Sequence, residues 1–254
     1  MRGVITSINA SAQIIDICNN VQSFDILDGA LTISQAYRYF PADTVHVVIV
    51  DPGVGTSRHP LLVQTERHIF LAPDNGILSL VYEREERLSV RHITAEHYFL
   101  QPVSSTFHGR DIFAAVAGWL SKGVECSKFG DEITDFVRFA TPRPKLLSPT
   151  QLKAVVLKVD KFGNLVTSIA ERDVPAFFGD NPPEFKLSVG KAEVTNLRKT
   201  FAEGAPGEVF AVIGSMGFVE IVANRGNASA LALAAKGAEV QVTFAQPQAG
   251  PSTP

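Results

Sequence analysis

Val45-His46-Val47-Val48-Ile49-Val50-Asp51-Pro52-Gly53-Val54-Gly55-Thr56-Ser57-Arg58 is the stretch on which the fold turns. Residues 45–50 form a near-continuous apolar run that stops at an Asp and a Pro-Gly pair. Unbroken apolar strands belong to sheets covered on both faces. In open α/β sheets, ligands gather at the carboxyl ends of such strands. Gly53 and Gly55 allow positive φ and close backbone approach in the loop that follows. Two more segments sit where apolar runs end: Pro73-Asp74-Asn75-Gly76 and Ser105-Thr106-Phe107-His108-Gly109-Arg110-Asp111. Together the three place Asp51, Arg58 and His108 on loops.

Working outward, residues 13–17 (Gln-Ile-Ile-Asp-Ile) read as a strand. Residues 26–37 put Ile26, Ala30, Ile33 and Tyr37 at helical spacing, with Asp25 as the N-cap. Residues 61–65 and 68–71 read as the next strands. Residues 111–121 put Ile112, Phe113, Val116 and Leu120 on one helical face, and Gly123 stops that helix. Residues 1–141 therefore predict an N-terminal α/β domain with a mostly parallel central sheet. Residues 142–150, with Pro142, Pro144 and Pro149, predict a linker. After it the pattern turns to short strands at 154–159, 165–169, 185–189, 209–213, 218–222 and 240–244, with one helix at 228–235. Residues 151–245 therefore predict an all-β, barrel-like domain. The proline-rich residues 246–254 predict a disordered tail.

The bulk properties exclude more than they identify. The 254 residues are 45% hydrophobic and 19% charged, ordinary for a globular protein. A net charge of -3 gives no support for nucleic-acid binding. The cysteines, Cys18 and Cys126, lack CxxC or metal-like spacing and read as reduced thiols of a cytosolic protein. No apolar run approaches the roughly 18 residues of a membrane span, and no signal peptide is evident, so a soluble cytoplasmic protein is expected.

Taken singly, the candidate residues have plain structural readings. Asp51 is a turn residue before Pro-Gly, Arg58 a solvated loop charge, and His108 a structural histidine between Phe107 and Gly109. Asp74-Asn75-Gly76 reads as a turn, and Asp111 as an acidic residue in the first turn of a helix. Phe24 and Phe201 read as core aromatics.

As a set, the segments resemble the S-adenosylmethionine hydrolases (SAM hydroxide adenosyltransferases), relatives of the fluorinating and chlorinating enzymes that act on the same substrate. The resemblance runs in order from about residue 2 to about residue 244. It includes Gly29-Ala30, Tyr39-Phe40-Pro41, Asp160 with Phe162-Gly163-Asn164, Gly214-Ser215 and Gly226-Asn227-Ala228. It implies hydrolysis of S-adenosylmethionine to adenosine and methionine, with Asp51, Arg58 and His108 activating water. The sulfonium is already a good leaving group, so no metal and no cofactor are expected. A His of ordinary pKa about 6.5 can take a proton from water, an Arg favours a hydroxide-like species, and an Asp can orient either. The resemblance further implies that Phe162 and Asn164 meet adenine, Ala228 contacts it through backbone, Asp160 holds the methionine amine, Ser215 lies at the carboxylate, and Phe24 and Phe201 flank the ligand. It implies a homotrimer with sites between subunits and no membrane or nucleic-acid partner.

Two departures stand out. Family members carry a strand with an Asp-Phe-Gly-like turn ahead of the segment that here starts Met1-Arg2-Gly3-Val4-Ile5. Its Asp binds the ribose, so that strand is expected upstream of a misplaced start. Asn19 stands where the family often has His. A non-catalytic adenosyl-ligand binding protein and, less favoured, a SAM-dependent halogenase remain as alternatives.

Overall fold

A computed structural model describes residues 1–179 and 182–245, in two compact units that meet in sequence at Ala140 and Thr141.

The first unit opens with helix α1 (Arg2–Ile8) and helix α2 (Ile26–Ala36). Asp25 caps α2, its side chain accepting from the Asp28 N–H at 3.0 Å. Strands β1 (Thr44–Val47), β2 (Pro60–Thr65) and β3 (His68–Pro73) follow, then the short helix α3 (Ser79–Tyr82) and strand β4 (Leu88–His92). Helix α4 (Ala114–Ser121) continues from a π-helical turn at Gly109–Phe113. The sheet order is β1-β3-β2-β4. Alternation along β2 and β3 sends Leu61, Val63, Phe70 and Ala72 to a core with α2, and Leu62 and Leu71 to a core with Ile112, Phe113 and Val116. The sheet is thus covered on both faces, which is what the apolar run at 45–50 requires.

Two expectations are corrected here. The described sheet is not mostly parallel: β1 and β3 pair in parallel, but β2 is antiparallel to both β3 and β4. A short turn joins β2 to β3, and a connection that short can only link antiparallel strands. Residues 13–17 form no strand. They line one side of a cavity of about 1400 Å³ whose other side is the outer edge of β1, so no neighbouring backbone lies in ladder register with them.

A buried aromatic group lies behind β1. His46 and His68 approach at 3.4 Å between Nε2 and Nδ1, and the His46 ring stacks on Phe70. Burial, and then the neighbouring His68, lower His46 to about 4.

The second unit carries strands β5 (Lys145–Ser148), β6 (Gln151–Val159), β7 (Leu165–Ala170), β8 (Phe185–Val189), β9 (Ala192–Val194), β10 (Leu197–Arg198), β11 (Val209–Ile213) and β12 (Phe218–Ala223). Helix α5 (Ala228–Ala232) and strand β13 (Glu239–Phe244) complete it. The nine-stranded sheet runs β10-β11-β12-β7-β6-β13-β8-β9, and β5 pairs with β6. It curls far enough that β9 packs on β11, enclosing Leu165, Ile169, Leu187, Ala211, Ile221 and Val240 in one core. This is the barrel-like all-β unit expected. Strand β5 falls inside the expected linker: its backbone pairs with β6 beyond Pro144, where the ring no longer removes a donor. Helix α5 ends earlier than residue 235, with Leu233 in the left-handed region at φ 51°. The expected disorder of residues 246–254 lies outside the described residues.

Candidate active site

The strand that carries Asp51 is held beyond its last ladder bond. The Val48 N–H donates to the Leu71 carbonyl at 2.9 Å, and Asn75 Nδ2 donates to the Val50 carbonyl at 2.8 Å. Asn75 thus fixes the backbone one residue before Asp51. Asp74 fixes the other side of the loop, its N–H donating to the His59 carbonyl at 2.8 Å next to Arg58. Read as a turn in sequence, residues 73–76 brace both ends of the 51–58 loop.

The third segment is locked to the first by close backbone approach. Gly55 has φ 78°, and a Cβ there would lie 2.2 Å from the Ser105 carbonyl oxygen, so only glycine fits. Asp111 is fully buried; its Oδ2 accepts from the Ser104 N–H at 2.8 Å, and both oxygens accept from Arg110, at 2.6 and 3.0 Å. The hydrogen bonds from Arg110 hold the Asp111 carboxyl below the usual range. Asp111 therefore pins the 104–108 loop to the start of the helical segment, a larger part than the first-turn carboxylate read from sequence.

These braces bring Asp51, Arg58 and His108 together. Arg58 donates from Nε to Asp51 Oδ1 at 3.1 Å and from Nη2 to Oδ2 at 2.5 Å, a bidentate pair whose side chains are 8% and 7% exposed. Nη2 also lies 2.8 Å from His108 Nδ1. A guanidinium cannot accept a hydrogen bond, so Nδ1 must be the acceptor and the neutral ring carries its proton on Nε2. Burial, followed by the Arg58 charge, lowers His108 below its ordinary 6.5. Arg58 Nη1 is buried and makes no hydrogen bond among the described residues. The group as it stands presents N–H donors, and its one imidazole lone pair is occupied by Arg58. Removing a proton from water, the part sequence reasoning gives His108, is not available to this tautomer.

Phe24 belongs to the first unit. It is 80% exposed with φ 66° and lines the cavity beside β1, as Asp51 does; Arg58 and His108 do not. The cavity is lined mainly by residues of the first 24, by β1 and by residues of 117–127, and the charged group touches it at Asp51 only.

The second unit gathers most of its own candidates on one loop. Asp160 Oδ1 accepts from the N–H groups of Phe162 and Asn164 at 2.8 and 2.9 Å, and Oδ2 accepts from Asn164 Nδ2 at 2.8 Å. Gly163, at φ 87°, lies against Asn227, and its carbonyl accepts from the Ser229 N–H at 2.9 Å. That contact seats buried Ala228 beside the loop. Phe162 is 65% exposed, with Lys161 Nζ 5.0 Å from its ring centre. Ser215 sits in the turn between β11 and β12. Phe201 lies on a separate turn, Phe201–Glu203, and half its surface is exposed. The core roles read for Phe24 and Phe201 alone do not hold, because both rings face solvent.

A two-unit protein with an Asp-Arg-His group on strand-end loops, its Asp51–Arg58 pair buried, and an Asx-braced aromatic loop on a barrel-like sheet has the groups of a small-ligand protein rather than of a scaffold. The comparisons give the family. Residues 1–130 match the SAM hydroxide adenosyltransferase N-terminal domain and residues 154–241 the SAM hydroxide adenosyltransferase C-terminal domain, so the chain belongs to the SAM hydroxide adenosyltransferase family. It is 32% identical over 245 residues to an (R)-S-adenosyl-L-methionine hydrolase of Salinispora tropica, covering 95% of this chain and 90% of that one. A hydrolase of the same name from Methanocaldococcus jannaschii is 32% identical over 241 residues, 91% and 84% of the two chains. A fluorinase of Nocardia brasiliensis is 26% identical over 262 residues, 88% and 84% of the two. The crystal structure of an uncharacterized conserved protein from Thermotoga maritima superposes with a TM-score of 0.86 at 34% identity, covering 95% and 93%.

Proposed function

We propose that this protein hydrolyses S-adenosyl-L-methionine to adenosine and L-methionine. Family membership and the hydrolase relatives support the reaction. The observation that carries the mechanism is Arg58 bridging Asp51 and His108. Asp51 fixes the guanidinium in its plane. His108 Nε2 is the donor left to hold an oxygen nucleophile, and the fixed Arg58 charge behind the ring favours hydroxide over water there. The oxygen attacks the 5′ carbon in line with the sulfonium. The C–S bond breaks with its electron pair going to sulfur, and one proton per turnover passes to solvent. Neutral sulfur leaves without protonation, so the chemistry requires no acid and no metal.

Asp160, Phe162, Asn164, Ser215 and Ala228 are assigned to the ligand, with Phe162 offering a ring face and Asn164 a donor and an acceptor to the adenine edge. Phe24 and Phe201 are assigned as flanking aromatics. The assembly is proposed to be a homotrimer. A cytoplasmic setting is proposed, in keeping with the two free cysteines; among the described residues no helix is long and apolar enough to cross a membrane.

The halogenase reading is disfavoured because halide needs no help losing a proton. Product chromatography with chloride present and with EDTA tests the assignment. Adenosine and methionine in equal amounts are expected. A halogenated nucleoside as main product, or complete loss of turnover with EDTA, refutes it.

A further inference from the structure

Strand β12 reads Phe-Val-Glu-Ile-Val-Ala, and its one charged residue, Glu220, is 9% exposed. Glu220 pairs in register with Val212 on one side and Val166 on the other, so it stands in the middle of the sheet rather than at an edge. Its carboxylate presses on the turn that holds Ser215: a Cβ on Gly214 would lie 1.8 Å from Glu220 Oε1, so Gly214 is the residue that leaves it room. Among the described residues it makes no side-chain hydrogen bond and no ion pair. Burial, and then the negative charge of Asp160, raise its carboxyl above the usual range, and no basic side chain acts against them. An unpartnered buried carboxylate beside a second carboxylate is costly, and such groups are kept where a cation joins them.

We propose that Glu220, with Asp160, binds the α-ammonium group at the amino-acid end of the substrate, and that Glu220 sets the requirement for that amino group. The inference rests on the S-adenosylmethionine reading above. That ligand carries two cationic centres. The sulfonium has no hydrogen to donate, whereas the ammonium has three N–H donors and matches carboxylate oxygens. The division of labour follows from the lone pairs. Asp160 already accepts three hydrogen bonds from its own loop, which leaves it about one of some four acceptor positions. Glu220 has all of its positions free. Asp160 is therefore chiefly the brace of the 160–164 loop, and Glu220 the principal acceptor for the ligand.

Calorimetry with S-adenosylhomocysteine, its des-amino counterpart and adenosine separates these roles, using the full chain and Glu220→Gln, a variant of the same shape. Wild-type protein is expected to bind S-adenosylhomocysteine at least tenfold more tightly than the des-amino compound. Glu220→Gln is expected to lose most of that preference while binding adenosine and the des-amino compound as wild type does. Equal wild-type affinity for the two compounds overturns the proposal without any variant. So does a Glu220→Gln protein that keeps the preference, or one that weakens all three ligands alike, which marks a structural role. Amino-group discrimination in a protein that does not turn over S-adenosylmethionine would sink the hydrolase reading and leave this one standing. Turnover with an indifferent Glu220→Gln would do the reverse.

Discussion

Replacing Arg58 by Met tests whether the Asp51–Arg58 pair is a buried unit or a solvated one. Methionine keeps the apolar stem and removes the guanidinium. Asp51, 7% exposed at its side chain, would then be left without both of the hydrogen bonds it receives from Arg58. Breaking a buried pair in this way costs about 3–5 kcal/mol, whereas an exposed pair costs about 0–1. For a protein of this size the loss corresponds to a fall in Tm on the order of 10 °C. The double variant Asp51→Asn, Arg58→Met removes the stranded charge and should recover on the order of 1–3 kcal/mol relative to the sum of the single changes. Urea melts of the four proteins give the cycle directly. An Arg58→Met cost under about 1 kcal/mol, strictly additive with Asp51→Asn, would refute the claim that the pair is buried and cooperative.

The tautomer argument separates two replacements of His108: Asn keeps an N–H donor without a base, so His108→Asn should retain at least tenfold more kcat than His108→Ala, both with KM near wild type; equal kcat values argue that the ring does not act as a donor. The acid limb of wild-type kcat/KM should lie below pH 6.5, because the His108 pKa is lowered and the ring must be neutral to accept from Arg58; a limb above pH 7 contradicts this. The chain should lose stability as pH falls from about 6.5 toward 4, since unfolded histidine protonates before buried His46, which is lowered to about 4; the loss approaches roughly 3 kcal/mol, and His46→Phe should flatten it in pH-dependent urea melts. Asn164→Ala should weaken adenosine binding by about 1–3 kcal/mol, and unchanged affinity in calorimetry removes Asn164 from the site.

Apolar runs, caps and loop motifs are legible in the amino-acid sequence. The Asp25 cap and the expected strands of the second unit stand where their patterns put them, whereas the run at 45–50 enters the sheet as β1 but leaves the strand after Val47. Strand direction is not legible from apolar content, because an apolar strand looks the same whether its neighbour runs with it or against it; for β2 the signal is instead the two-residue gap between 65 and 68, which permits only an antiparallel neighbour. Residues 13–17 carry three β-branched isoleucines, as a strand would, but composition does not supply a partner, and none lies in register. Strand β5 is hidden by Pro142 and Pro144, which punctuate the chain without extending to Lys145. The charged group at Asp51 is legible only as a set of motifs, since distance in sequence separates Arg58 from His108. Glu220 escapes the motif reading although it leaves a signal: it is the lone charge in an otherwise apolar strand, close behind the Gly214-Ser215 pair.

The contact of Gly55 with the Ser105 carbonyl has a bearing on when the Asp51-Arg58-His108 group becomes ordered. Neither loop can drift without the other, and Asn75 and Asp74 hold the first loop at both ends. The rotamer freedom of Arg58 is therefore surrendered as the chain folds, long before a ligand arrives. In the proposed mechanism a nucleophile then meets a group already aimed, with no reorganisation left for the reaction step. Evolution in the 53–57 loop is correspondingly confined: a side chain at position 55 would prise the two loops apart, and sequence drift there would be read first as slower chemistry and only afterwards as a less stable protein.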